Sequence, residues 1–302
     1  MKFSIFSDLH YCPGLYKGGT LNSIRYIQKR AEESGSEFII HAGDFCHGPS
    51  LVPEAVELYN NFHIPSYHAL GNHDSDKTSY EETLKIYGMS DGYYSFDKSS
   101  YRFIVCNPNY YCLGDKYIAY SLGNYFKYDA ERDYMPPEQL SWLKETIDSS
   151  PYPCILISHE SFHREADGVK NQKEVRKIIN EANRRKPHSV LLCINGHDHV
   201  DFIRILDQVC YFELNSTSYH ALPKSHNLYP EALCKEYRGA RSTIIYNDPV
   251  HAVITLEGNT ITIEGMESTF YMDIDREMTG NTICDGGGRY STPCVQSAKI
   301  TL

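Results

Sequence analysis

What the sequence lacks narrows its class before any motif is considered. No apolar run approaches the roughly 20 residues needed to cross a bilayer, so no membrane span is expected and no membrane partner. No long run of Lys or Arg occurs, and the formal net charge is −10. Tight binding to a nucleic-acid backbone, which needs clustered cations to displace counterions, is therefore disfavoured. None of the ten cysteines forms a CxxC pair, which argues against a disulfide framework or a cysteine-based metal knuckle. Cys106, Cys154, Cys193 and Cys210 lie in apolar strand-like runs and read as small buried hydrophobes; only Cys284 and Cys294, flanking three glycines, leave a pairing open. The opening MKFSIFS runs straight into a strand and then a candidate ligand, leaving no room for a cleavable leader, and a cytoplasmic location is expected. There is one tryptophan, no internal repeat and no low-complexity segment.

What the sequence does contain is enough apolar residue, 41% of 302, for one large α/β domain. Residues 2–7, 36–41 and 64–70 read as strands, separated by amphipathic helical patterns over 21–33 and 52–62, and a β-α-β-α-β order implies parallel pairing. Further strands are expected at 102–106, 154–157 and 189–194, with helices opening at Pro136-Pro137 and covering 174–185. After residue 200 the pattern changes to hairpins, 202–206 with 209–214 and 251–256 with 260–264. The expected fold class is α/β, two mixed sheets facing each other with helices outside, a four-layer α/β/β/α sandwich. Between 107 and 134 lies a long tyrosine-rich connection, read either as an aromatic flap packed on itself or as a base-stacking lid carrying Tyr110 and Tyr111.

Five strand-like runs end in polar, mostly glycine-marked turns: Ser7-Asp8-Leu9-His10, Gly43-Asp44, Gly71-Asn72-His73-Asp74, Ser158-His159 and Gly196-His197-Asp198-His199. The C-terminal ends of parallel strands are where open α/β sheets bind their ligands. Carboxylate, imidazole and amide oxygen in one set suit first-row cations better than magnesium or calcium, which prefer oxygen throughout.

In this order and at these places, the five turns resemble the signature of the calcineurin-like metallophosphoesterase superfamily. Every signature position is filled, and the resemblance spans residues 1–265; residues 266–302 form a C-terminal tail of unknown role. The resemblance implies two divalent transition metal ions (Mn, Fe or Zn), one held by Asp8, His10, Asp44 and His199, the other by Asp44, Asn72, His159 and His197. The two oxygens of Asp44 would bridge cations about 3.5 to 4 Å apart, with a bridging hydroxide as nucleophile. It further implies that His73 stays uncoordinated and acts as general acid. Asp74 either orients that ring or caps the following turn, and His47 and His163 are candidates for facing substrate.

Within the superfamily, the stretch Gly43-Asp44-Phe45-Cys46-His47-Gly48 lacks the arginine by which Ser/Thr protein phosphatases grip phosphate. The Ser7-Asp8-Leu9-His10 opening and the helix containing Gln139-Leu140-Ser141-Trp142-Leu143 look more like the nucleotide phosphodiesterase and ADP-ribose or CDP-alcohol diphosphatase branch. The expectation is hydrolysis of a phosphodiester or pyrophosphate bond in a small nucleotide-like substrate. A phosphomonoesterase of the same fold is the alternative, and a non-catalytic metal-binding or interaction scaffold is the reading from another class.

Overall fold

The computed structural model describes residues 1–222, 225–275, 277–279 and 292–302. Strands β1 (Lys2–Phe6), β2 (Ile39–Ala42) and β3 (Ser66–Ala69) pair in parallel, with helices α1 (Leu21–Ser34) and α2 (Pro53–Asn60) as their crossovers. Helix α1 begins where the sequence supplies a reciprocal cap, Thr20 with Ser23, and stops at Gly35 in the left-handed region. Its buried Ile24, Ile27 and Ala31 lie on one face. Helix α3 (Tyr80–Tyr87) follows, capped by Ser79.

The chain then enters the second sheet through the antiparallel pair β4 (Tyr94–Lys98) and β5 (Tyr101–Val105) and leaves it for a small hairpin, β6 (Tyr110–Leu113) with β7 (Lys116–Ala119). Next come α4 (Pro137–Asp148), β8 (Cys154–Ile157), α5 (Gln172–Arg185), β9 (Val190–Asn195), β10 (Phe202–Leu206) and β11 (Val209–Glu213). A further short pair, β12 (Tyr219–Ala221) with β13 (Thr243–Ile245), brackets α6 (Glu231–Glu236), and β14 (Ala252–Glu257), β15 (Thr260–Gly265) and β16 (Ala298–Thr301) complete the fold. The sheet orders are β16-β15-β14-β1-β2-β3 and β10-β11-β9-β8-β5-β4, both mixed.

Three cores stack through the molecule, and they define four layers. Phe3, Ile5 and Ile40 from the first sheet meet Phe103, Ile155 and Phe212 from the second, so this core lies between the sheets. Ile27, Val56 and Tyr59 seal the helices against the outer face of the first sheet, and Leu143, Val175 and Ile179 do so against the second. The expected α/β/β/α sandwich is the observed architecture, with six α-helices among the described residues.

One segment differs from expectation, and another takes one of its two expected forms. The tail set apart at residue 266 returns to the first sheet: β16 pairs antiparallel with β15, and Val295 is buried in the central core. The strand is only four residues long, Ala298–Thr301, too short for its alternation to stand out in the sequence. The stretch at 107–134 is ordered around its own aromatic cluster, with Tyr111, Tyr120 and Tyr125 buried and packed with Ile118 and Tyr128. Tyr120 and Tyr125 stack at 4.2 Å, and the Tyr120 hydroxyl donates to Asp133 at 2.8 Å. The self-packed flap is the arrangement found. Cys106, Cys154, Cys193 and Cys210 are buried thiols, while Cys284 lies outside the described residues. No described helix is long and apolar enough to cross a membrane.

Candidate metal centre

The parallel register puts the ends of β1, β2 and β3 on one edge and those of β8 and β9 on the facing edge. The polar turns interlock there: Asp8 N–H donates to Gly43 O at 3.0 Å, His10 N–H to Asp44 O at 2.9 Å, and Gly196 N–H to His159 O at 3.0 Å. Asp8, His10, Asp44, His197 and His199 all take left-handed backbone conformations, with φ of 53°, 48°, 56°, 71° and 53°. Such conformations cost of order 1–3 kcal/mol each outside glycine, and their concentration here marks a site held in place by the rest of the fold. A Cβ at Gly71 would collide with the Asp44 carboxylate, and one at Gly196 with Ser7 and the Asp8 carboxylate. The glycines are required because ligand-bearing turns approach one another this closely.

Two groups of ligand-type atoms result, Asp8 with His10 and His199, and Asp44 with His159 and His197. His199 Nε2 lies 3.3 Å from Asp8 Oδ1 and 3.2 Å from His10 Nε2. His159 Nε2 lies 3.2 Å from Asp44 Oδ2, and His10 Nε2 lies 3.7 Å from the same oxygen. Asp44 Oδ2 thus faces both groups, while Asp44 Oδ1 accepts the His73 N–H at 2.8 Å. The expectation of one oxygen per cation gives way to a single oxygen between the groups, because the other is committed to the backbone.

The residues fit cations on two observations. Asp8 Oδ1, Asn72 Oδ1 and His159 Nε2 are buried with no hydrogen-bond partner, a costly state unless something else satisfies them. The donor set, carboxylate with imidazole and one amide oxygen, is that of a first-row divalent ion. Electrostatics agree. Burial pushes His10 and His197 down to about 3, so both rings are neutral and ready to ligate at neutral pH. Burial would raise Asp8 and Asp44, but His199 and His159 beside Asp8, and His159 and His73 beside Asp44, hold both carboxyls well below the usual range. His159 is held up against burial by Asp44 and Asp8, so a cation there must displace its proton. The outer nitrogens of two rings are also fixed by carbonyls, His159 Nδ1 by Ala42 O at 2.9 Å and His199 Nδ1 by Tyr219 O at 3.0 Å.

His73 sits beside this centre, its ring centroid 5.4 Å from that of His10. Its orienting carboxylate is not Asp74. Asp74 accepts from the backbone N–H of Gly71 (2.8 Å), Asp44 (3.1 Å) and Cys46 (3.2 Å) and from the Tyr87 hydroxyl (2.7 Å), so it ties its own turn to that of Asp44 instead of capping the turn that follows. Asp76 holds His73 instead, Oδ2 to Nδ1 at 2.7 Å, and also meets His47 Nδ1 at 3.0 Å. Residues His73–Ser75 form a 3-10 turn, in which positions i and i+3 eclipse, so Asp76 comes over His73 while Asp74 points inward. That spacing was present in the sequence and overlooked. Burial would lower His73, but Asp44 and Asp76 push it up to about 9, and the two histidines bring Asp76 down to about 2 against its own burial. The Tyr125 hydroxyl, from the aromatic flap, donates to Asp76 Oδ1 at 2.7 Å.

His47 is hydrogen-bonded to His10 and Asp76 and does not line the cleft. His163 is turned into a buried network with Ser161 (2.9 Å) and Glu213 (3.0 Å), stacked on Tyr211, and does not line the cleft either. The cleft itself, about 350 Å³, is floored by His10, Asp44, His73 and His197 and walled by Tyr16 and Tyr219, whose rings stack at 4.6 Å. Tyr110 and Tyr111 take no part in it. A groove of about 500 Å³ at Asn183, Arg184 and His188 shares no residue with either ligand group.

The sequence profile of the calcineurin-like phosphoesterases matches residues 1–201 of the 302. The chain belongs to the calcineurin-like phosphoesterase family. Among solved structures, a dimetal phosphatase from Danio rerio superimposes with a TM-score of 0.60 at 14% identity, covering 89% of this chain and 98% of that one. GAP50, described as the anchor in the inner membrane complex of Plasmodium, gives 0.55 at 15% identity, covering 100% of this chain and 89% of that one. No curated protein matches the chain significantly by sequence. At such identities the likeness concerns the fold, and a fold shared by a phosphatase and an anchor leaves the choice to the site residues. Six of the seven ligand-type side chains, Asp8, His10, Asp44, His159, His197 and His199, form the two groups, and the seventh, Asn72, is buried with Oδ1 unpartnered.

Proposed function

We propose that this calcineurin-like phosphoesterase is a dimetal-dependent hydrolase of phosphodiester or pyrophosphate bonds in small nucleotide-like substrates. The observation that carries the reading is the convergence of two Asp/His groups on Asp44 Oδ2, with Asp8 Oδ1, Asn72 Oδ1 and His159 Nε2 buried and unpartnered. Asp8, His10, Asp44 and His199 would hold one divalent ion, and Asp44, Asn72, His159 and His197 the other. Such ions neutralise a bound phosphate and lower the pKa of water enough to make it a nucleophile at neutral pH.

The chain supplies the rest. Water oxygen attacks phosphorus as the bond to the leaving oxygen breaks, and the departing oxygen needs a proton. His73 faces the centre with Nδ1 tied to Asp76, so Nε2 is the atom that delivers it. The stacked Tyr16 and Tyr219 offer an apolar wall for a base or another flat group. The missing phosphatase arginine after Asp44 favours a small substrate over a phosphoprotein.

Reconstitution with Mn²⁺, Fe²⁺ or Zn²⁺, elemental analysis, and assay against phosphomonoesters, cyclic nucleotides and nucleoside-diphosphate-X compounds tests the reading. Two ions per chain and a preference for diesters or pyrophosphates are expected. Stoichiometric metal with no turnover of any ester would instead favour a scaffold, and a preference for monoesters would move the assignment to a phosphomonoesterase. Tyr16→Ala should raise KM for nucleotides by about 5- to 150-fold, from stacking worth roughly 1–3 kcal/mol, and spare bis-p-nitrophenyl phosphate comparatively.

A further inference from the structure

The cleft wall of Tyr16 and Tyr219 joins two distant parts of the chain. Tyr16 lies in the loop between β1 and α1. Tyr219 opens β12, in the segment between β11 and β14 that also gives Leu222, Ser242 and Thr243 to the cleft. Close approaches to glycine fix the loop. A Cβ at Gly18 would collide with Ser218 O, and one at Gly19 with Leu9 O, so the loop lies against the neighbour of Tyr219 and against the turn that carries Asp8 and His10. Gly239, in the 3-10 turn Arg238–Ser242, donates its N–H to Leu15 O at 2.8 Å, and a Cβ there would collide with Cδ1 and Cε1 of the Tyr16 ring. Gly239 does not take a left-handed conformation, so the Tyr16 ring and Leu15 O, and not the local backbone, exclude a side chain from it. Lys17 holds Nζ 4.7 Å from the centre of the Tyr271 ring and 5.9 Å from that of Tyr237, where aromatic faces attract a cation.

We propose that Gly239 and Lys17 are positioning residues that seat Tyr16 against Tyr219, and that the segment between β11 and β14 thereby selects the group carried beside the scissile phosphate. The proposal rests on the reading of the two tyrosines as the wall for a base and deepens it. The Tyr16 ring is confined between the bare α-carbon of Gly239 at its edge and the Tyr219 ring stacked on it at 4.6 Å. Tyr16 is only half-buried, so a methyl group on residue 239 can drive its ring off Tyr219. The wall stands beside the ligand groups, with the His10 ring 5.9 Å from that of Tyr16 and 5.1 Å from that of Tyr219. A flat group laid on it therefore stays next to the phosphate. Gly239 and Lys17 themselves neither line the cleft nor belong to a ligand group, so they act on the wall and not on the metal chemistry.

Two substrates with the same leaving group read the wall, thymidine 5′-(p-nitrophenyl phosphate) and methyl p-nitrophenyl phosphate, assayed with the full chain loaded with Zn²⁺. Gly239→Ala should raise KM for the thymidine ester by about 5-fold or more, toward the Tyr16→Ala value, change the methyl ester much less, and keep two zinc ions. In a Tyr16→Ala background, Gly239→Ala should add little, because the ring it displaces is gone; unconnected effects would multiply. Lys17→Met, which keeps the stem and loses the charge, should raise the same KM by about 2- to 5-fold, with recovery in Lys17→Arg, and serves if Gly239→Ala does not fold. Ring position is read without substrate, by ¹⁹F NMR of protein labelled with 3-fluorotyrosine, the Tyr16 signal being assigned from Tyr16→Phe. Both variants should shift that signal. An unmoved signal, multiplying effects, or equal losses on the two esters would overturn the seating. A shifted signal with KM unchanged for both esters would overturn the reading of the wall alone.

Discussion

Three clusters among the described residues have the same composition, two histidines and one aspartate: Asp8 with His10 and His199, Asp44 with His159 and His197, and Asp76 with His47 and His73. They differ in what their ligand atoms face. In the first two, Asp8 Oδ1 and His159 Nε2 are buried with no hydrogen-bond partner, and imidazoles crowd a common space. In the third, the carboxylate saturates both rings, Asp76 Oδ2 meeting His47 and His73 at 3.0 and 2.7 Å while Oδ1 takes the Tyr125 hydroxyl. Composition makes a cluster capable of binding a cation; unspent lone pairs make it want one. The proposed function accordingly takes the first two as ligand sets and His73 of the third as the proton donor.

That contrast is open to breaking, and the largest effect is expected at Asp44. Asp44→Asn replaces the one oxygen shared by the two groups with a neutral amide, and should lose most metal from both sites and nearly all turnover, by elemental analysis and assay. Retention of two ions with ordinary turnover would dissolve the distinction between the clusters. His73→Ala should behave oppositely. It should retain two ions, lose about 10²- to 10⁴-fold on alkyl or ribose esters, and lose much less on p-nitrophenyl esters, whose leaving group needs no proton. Loss of metal would make the third cluster a ligand set after all.

Chelation is the next test. A cation that binds the folded chain alone stabilises it by about 2.7 kcal/mol per site at 100 times its dissociation constant, so metal removal should lower Tm in wild type. His73→Ala should show the same drop, since the third cluster loses nothing to a chelator. The smallest effect concerns pH. His73 is raised to about 9, against burial, by Asp44 and Asp76, and cations beside it pull it back from that value. With His73 as the proposed acid the protonated ring is the form that acts, so kcat/KM on alkyl esters should fall as pH rises through its pKa. Asp76→Asn removes one of the raising charges and should shift that falling limb to lower pH. A limb that stays in place would assign it to another group.

Much of this was legible in the sequence, for local reasons. Period-two and helical patterns marked β1, β2, β3, β8, β9, α1 and α2, and each of the five polar turns announced itself as residues that a strand end cannot bury cheaply. Hence the sandwich could be named without coordinates, and the family resemblance then implied which seven residues of those turns are ligands. The β4 strand and the hairpin β6–β7 were not evident in the sequence. In the hairpin, Tyr110, Tyr111, Cys112 and Leu113 run on without polar alternation, and the inward packing of Tyr111 depends on Tyr120 and Tyr125 beyond it.

What the sequence determined, then, is which residues stand at the ends of which strands, since periodicity and turn chemistry act over a few residues. Only the tertiary structure decided how those residues are spent. Asp74 went to the backbone of Gly71, Asp44 and Cys46, Asp76 to two rings on different turns, and Asp44 to one shared oxygen rather than two. His163 was drawn under the sheet by Glu213, and Tyr16 and Tyr219, more than two hundred positions apart in the chain, became one wall. Each of these outcomes depends on hydrogen-bonding and packing partners supplied by sheet closure, and side chains with two or more feasible partners take the one that closure brings within about 3 Å.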